Sequence, residues 1–407
     1  MVNPRDLRGF GDETENYTFK DTLDWFVHVR DPAEVFKAQP TYFLSEWSYV
    51  IIAFLLYCGG PLEVPLAGVL PSWLDYGDGL ILDAGHRQLL ALTDHHNVSG
   101  SQTSTPHTLD FNEFILSPAG LVEVLIDIPY DIMAVKFVHW TWHDTDPNIY
   151  DRHYWVPWNS YYFHLAFGTA FTFALNFWRR KITGSDDKGE VSSPGKEIVC
   201  AFLAGLCGMP GGVIQFIFLY HPLHDTYGIH TENCTLAIVL VYFLIVWAAD
   251  RTPRVTSRRQ KGEKSHWSVI IIVLNMVIHY GLYLSMAVFG KPEEEVSIGL
   301  HERTGPCDEK TDVYTAFGGV LKRQTYLCTD DYDEKYYDFH CLPGGQRVSD
   351  GMEWYTICGT PFPNRAEYIS VIVLVCVVSA VIFYNLLFRS SRTLLYQKKK
   401  ETKLKFN

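Results

Sequence analysis

Runs of roughly twenty residues with almost no charge recur along this chain, and the charged residues crowd into the stretches between them. A helix rises about 1.5 Å per residue, so each such run matches the roughly 30 Å hydrocarbon core of a bilayer. Whole-chain averages conceal this. Over 407 residues the formal charge is −12 and the mean hydropathy is −0.01, values that suit an acidic soluble protein. Nucleic-acid binding is not expected, because the protein is acidic and its short basic clusters border apolar runs.

Five runs are clear spans, at residues 158–178, 198–220, 235–249, 267–290 and 368–388. Two less regular ones precede them. Residues 45–70 are apolar but broken by Gly59, Gly60, Pro61 and Pro65; residues 118–140 carry Glu123, Asp127, Asp131 and Lys136. The expected fold is therefore an all-α polytopic membrane protein with about seven transmembrane helices and a small disulfide-stapled lumenal subdomain. Its divisions are an N-terminal polar region (1–44), a bundle (45–290), a cysteine-containing loop (291–367), a last helix (368–388) and a basic tail (389–407).

Basic residues orient the chain. Arg179, Arg180 and Lys181 close one span, residues 251–264 hold six basic residues against one acidic, and the tail carries Lys398, Lys399 and Lys400. These mark the cytosolic side and give a cytosolic C-terminus. The acidic loop 291–367 is then lumenal, and its four cysteines, Cys307, Cys328, Cys341 and Cys358, read as two disulfides with the pairing open. Alternating segments such as 312–327 make that loop β-rich. Sequons stand at Asn16 and Asn97, and with one span between them only one is expected to carry glycan. Lys403 and Lys405 resemble a dilysine retrieval signal, which points to the endoplasmic reticulum membrane.

The densest chemistry lies between residues 123 and 164. Glu123, Asp127, Asp131, His139 and His143 follow a four-residue step, with Val135 in the missing place. On a helix that step keeps neighbours on one face. Charges in a bilayer are costly and face partners, with Lys136 the nearest counter-charge. Asp144, Arg152, His153 and His164 follow in a stretch dense in tryptophan and tyrosine, as at a membrane–water interface.

Three readings compete: a structural hydrogen-bond network, a polar groove for a lipid headgroup or ion, and a metal site. In the groove, Arg152 suits a phosphate and the carboxylates an amine. In the metal site, His139 and His143 chelate with His153, Asp144 or His164 nearby. The histidine pair resembles one box of the membrane di-iron desaturases, whose further boxes are missing here.

The run Trp142-His143-Asp144-Thr145-Asp146-Pro147 with Asp151-Arg152-His153-Tyr154-Trp155-Val156-Pro157-Trp158 resembles a family of uncharacterised metazoan multi-span membrane proteins, grouped as a domain of unknown function. That resemblance implies a membrane protein and no activity. A fainter likeness to carotenoid-processing membrane proteins rests on the Trp-x-Trp and Val-Pro-Trp-Asn pieces alone.

The functional expectation is a subunit that scaffolds or assists a lipid-handling membrane complex, with membrane lipids and another integral membrane protein as partners. A bound phospholipid heads the cofactor expectations, ahead of zinc or iron. The alternative is a metal-dependent lipid-modifying enzyme built on His139 and His143.

Overall fold

The computed structural model describes residues 32–59, 119–143, 145, 147–184, 193–250, 266–332, 334–345 and 347–384. The sequons at Asn16 and Asn97, Asp144, the breaker residues Gly60, Pro61 and Pro65, the basic stretch 251–264 and the retrieval lysines lie outside them.

The chain enters on α1 (Pro32–Ala38) and α2 (Pro40–Gly59), then α3 (Ala119–Lys136). A two-residue ribbon, β1 (Arg152–His153) with β2 (Val156–Pro157), leads into α4 (Trp158–Thr183). Next come α5 (Pro194–Gln215), prolonged by two π-helical turns to Thr226, then α6 (Thr231–Asp250) and α7 (His266–Phe289). Strands β3 (Val296–Leu300), β4 (Lys310–Tyr314), β5 (Val320–Gln324), β6 (Tyr337–Asp338) and β7 (Trp354–Gly359) precede α8 (Arg365–Tyr384).

Four helical stretches among the described residues are long and apolar enough to cross a membrane: Gly195–Thr226, Thr231–Ala248, Ile270–Phe289 and Arg365–Tyr384. The expected seven spans are thus not supported. The physical reason is visible in α3 and α4. Glu123, Asp127, Asp131 and Lys136 sit in α3, and 14 of its 18 residues are buried within the protein. It is a central helix, with α4, α6, α7 and α8 packed around it. Its polar groups meet protein.

Pro129 sits inside α3 and cannot donate to the Leu125 carbonyl one turn earlier. Tyr280 of α7 supplies the missing donor: its Oη bonds Leu125 O at 3.0 Å. His279 Nε2 lies 2.9 Å from Ile126 O beside it. An apolar interior tolerates a helix-breaking proline only when a neighbour re-satisfies the freed carbonyl in this way. Neither amide atom of Asn275, one turn away on α7, has a hydrogen-bond partner among the described residues.

Helices α4 and α5 form a close antiparallel pair. Gly212 faces the ring of Phe167 so tightly that a Cβ there would collide with it. Arg179 clamps the end of the pair, its Nε and Nη2 each donating to the Glu197 carboxylate at 3.1 Å. Helix α5 begins at Pro194, a favoured first helical position.

The all-α expectation is corrected by three sheets: the β1–β2 ribbon, a β4–β5 hairpin, and the antiparallel order β3–β7–β6. The last two form a cap over residues 291–364, as the alternating pattern of that loop predicted. Two disulfides staple the cap, Cys307–Cys328 around the hairpin and Cys341–Cys358 onto β7, with Cα atoms 4.8 and 5.8 Å apart. Helix boundaries also shift. Helix α1 and the first turn of α2 occupy residues assigned to the polar N-terminal region, and α8 starts at Arg365 rather than 368. There Asn364 Oδ1 accepts the Glu367 N–H at 3.4 Å while its amide donates to the Glu367 carboxylate at 3.3 Å, an N-terminal cap.

Candidate functional site

The four-residue stripe of α3 survives only through its carboxylates. Helix α3 ends at Lys136, and Val138 turns the chain with φ of 51°. A β-branched residue rarely adopts that conformation. Gln39 Nε2 holds it by donating to Val138 O at 3.0 Å. His139 and His143 are thereby thrown off the helix face.

Each then finds a separate partner. His139 Nε2 lies 2.8 Å from Thr41 Oγ1, with the ring edge-on to Tyr42. His143 Nδ1 lies 3.1 Å from Glu334 of the cap, a carboxylate with no exposed surface. Arg152 Nη1 is 3.8 Å from the same carboxylate, donates to Trp142 O at 3.2 Å and has its guanidinium 5.4 Å from the Trp155 ring centre. Its side chain is 5% exposed, which leaves no open face for a phosphate. His153 packs between Tyr154 and Trp158, and burial pushes its pKa down. His139, His143 and His153 form no ligand cluster among the described residues. Lys136 is not the counter-charge of Asp131. Its Nζ donates to Thr360 Oγ1 at 3.0 Å and to Pro361 O at 3.1 Å, tying α3 to the cap.

What remains on α3 is a second, smaller constellation. Glu123, Asp127 and Asp131 face α4, which runs antiparallel and carries its own four-residue step of Ser160, His164 and Gly168. The two steps mesh. Ser160 Oγ donates to Asp131 Oδ2 at 2.8 Å, and His164 Nε2 lies 3.2 Å from Asp127 Oδ1. His164 Nδ1 lies 3.8 Å from Glu123 Oε1, while a methyl group at Gly168 would run into the Glu123 carboxylate. Asp127 and Asp131 are each 2% exposed, and Glu123 is 9% exposed. Sequence reasoning singled out His164 but not Ser160 or Gly168; their recurrence every fourth residue was the available signal.

Two other clusters are self-contained. On the π-helical turns after α5, Asp225 takes both His221 Nδ1 at 2.8 Å and His224 Nδ1 at 2.7 Å. In the cap, Asp338 and His340 approach Cys358, but that sulfur is committed to Cys341.

The family grouped as a domain of unknown function, DUF7802, matches residues 114–388. The chain belongs to it. The DUF7802 region takes in the α3–α4 cluster, the cap with both disulfides and all of α8, and leaves out α1 and α2. No curated protein and no solved structure matches the chain.

Proposed function

We propose that this DUF7802 protein is a multi-pass subunit of the endoplasmic reticulum membrane that scaffolds a lipid-handling assembly. Its outward helical faces would engage phospholipid chains and a partner's transmembrane segment. The observation that carries this reading is how little of three of the four candidate membrane helices the fold itself covers. Within the most apolar windows, 22% of Gly195–Thr226, 28% of Thr231–Ala248 and 22% of Arg365–Tyr384 is buried. Phe202, Leu206, Met209 and Phe218 of the α5 segment and Leu240, Phe243 and Leu244 of α6 stand exposed. Contiguous apolar area of this kind marks lipid or protein contact.

The interior supports the same division of labour. Arg152, His143, Glu334 and Lys136 all knit the bundle to the cap, so the tryptophan-rich stretch acts as a joint. His139 and His143, on which the enzyme alternative is built, hold different partners.

Native mass spectrometry of the full chain purified in mild detergent tests the proposal. Retained phospholipid together with one integral membrane partner at fixed ratio is the expected result. A bare chain carrying neither would overturn it.

A further inference from the structure

The α3–α4 cluster carries an inference that goes beyond scaffolding. We propose that Asp127, Asp131 and His164 bind one first-row divalent metal ion, Zn²⁺ foremost, which staples α3 to α4, with Glu123 beside the other imidazole nitrogen.

The charge balance is the first argument. Three carboxylates converge on a single imidazole. Asp127 and Asp131 are each 2% exposed, and the His164 side chain beside them is 24% exposed. The nearest lysine on α3, Lys136, is spent on Thr360 and Pro361. Buried carboxylates placed side by side require a compensating cation or proton, and a divalent ion held between Asp127 and Asp131 supplies one.

Geometry is the second argument. One donor atom from each of Asp127, Asp131 and His164 lies within 4.8 Å of the others. Tetrahedral zinc with bonds of about 2.0–2.2 Å sets its donors roughly 3.4 Å apart. His164 Nε2 and Asp127 Oδ1 already stand 3.2 Å apart. The i, i+4 spacing of Asp127 and Asp131 delivers two carboxylates from successive turns of one helix, and α4 delivers the nitrogen.

Two orphaned atoms supply the third, independent argument. Asp127 Oδ2 is buried with no hydrogen-bond partner among the described residues. Tyr161, 5% exposed, has a hydroxyl that likewise lacks one and lies within electrostatic reach of Asp131 and Asp127. A metal ion with a bound water would engage both. An imidazole in the donor set favours zinc-class ions over calcium or magnesium, which prefer oxygen alone. Ser160, donating to Asp131, acts as a positioning residue for that ligand.

The test is elemental analysis of the full-length protein purified in detergent without chelator. Expected is about one zinc-class ion per chain, lost in Asp127→Asn/Asp131→Asn and kept in His139→Gln/His143→Gln. Should the double aspartate variant fail to fold, two measurements stand in. Chelation of the wild type should lower its melting temperature and Zn²⁺ restore it. Ser160→Ala, which retains every ligand, should weaken Zn²⁺ binding by about tenfold. A wild-type protein with no stoichiometric metal and no thermal response to Zn²⁺ or chelator would mean that protons neutralise the cluster, and the inference fails. Metal retained in a folded Asp127→Asn/Asp131→Asn variant overturns the assignment equally. Lipid and partner retention are read separately, so either proposal can fail alone.

Discussion

Glu295 shows how one side chain converts its position into a pH response. It lies at the foot of the cap, 3% exposed, where Oε1 accepts the Thr41 N–H at 3.2 Å and Oε2 has no partner among the described residues. Burial pushes its pKa from 4.5 up to about 8, against the lowering effect of the Thr41 hydrogen bonds. The folded protein therefore keeps this proton after the unfolded chain has released it. Stability from this group is complete below pH 4.5 and falls as the pH rises toward 8. Melting of the solubilised protein at pH 5.5 and pH 8 should show the drop, and Glu295→Gln should flatten it. An equal drop in the variant would rule Glu295 out as its source. At Gly168 the constraint is space. Gly168→Ala pushes a methyl group into the Glu123 carboxylate and should cost about 1–3 kcal/mol, by the usual penalty for overfilling a core. Gly205→Ala, with nothing within 4 Å of the added carbon, should leave the melting temperature unchanged or raised.

At the scale of elements, α3 and α7 work as one unit, since the fault that Pro129 introduces in one is repaired by the other. Tyr280→Phe removes the hydroxyl on Leu125 O and strands a buried carbonyl, at a cost of about 1–3 kcal/mol. Thermal unfolding of the variant measures this; no change would mean that another donor reaches the carbonyl. The element scale also explains which site residues were legible in the sequence. A four-residue step was readable from Glu123 through His143, and it implied one polar face. The carboxylates keep that face because they lie within the helix. The histidines lose it because α3 stops at Lys136 and Val138 adopts a left-handed turn, held by Gln39 from almost a hundred residues earlier. No local pattern announces a helix end imposed by so distant a donor. Likewise Lys136 is next to acidic residues in sequence yet serves the cap, because Thr360 and Pro361 arrive from the far end of the chain.

For the molecule as a whole, the decisive contrast is between helices that face outward and helices that face one another. At the base of the cap, Arg365 at the start of α8 ties it to the end of α7, donating to Val288 O at 3.1 Å and Gly290 O at 2.8 Å. The proposed topology places this cap in the lumen. In sealed microsomes a protease added outside should spare the fragment holding both disulfides and remove the tail after residue 388. Loss of the cap under those conditions would reverse the orientation. The sequence by itself determined that apolar helices would dominate, that the loop after α7 would be β-rich and cysteine-stapled, and that the region from Glu123 to His164 would concentrate polar chemistry. Each of these follows from local composition and period. Only the tertiary structure decided that four helices among the described residues run long and apolar enough to cross a membrane, which cysteines pair, and that the polar region divides into a cap joint and an α3–α4 carboxylate–histidine cluster. Those outcomes depend on which surfaces meet, and burial against a distant segment outweighs the preference of any residue read in isolation.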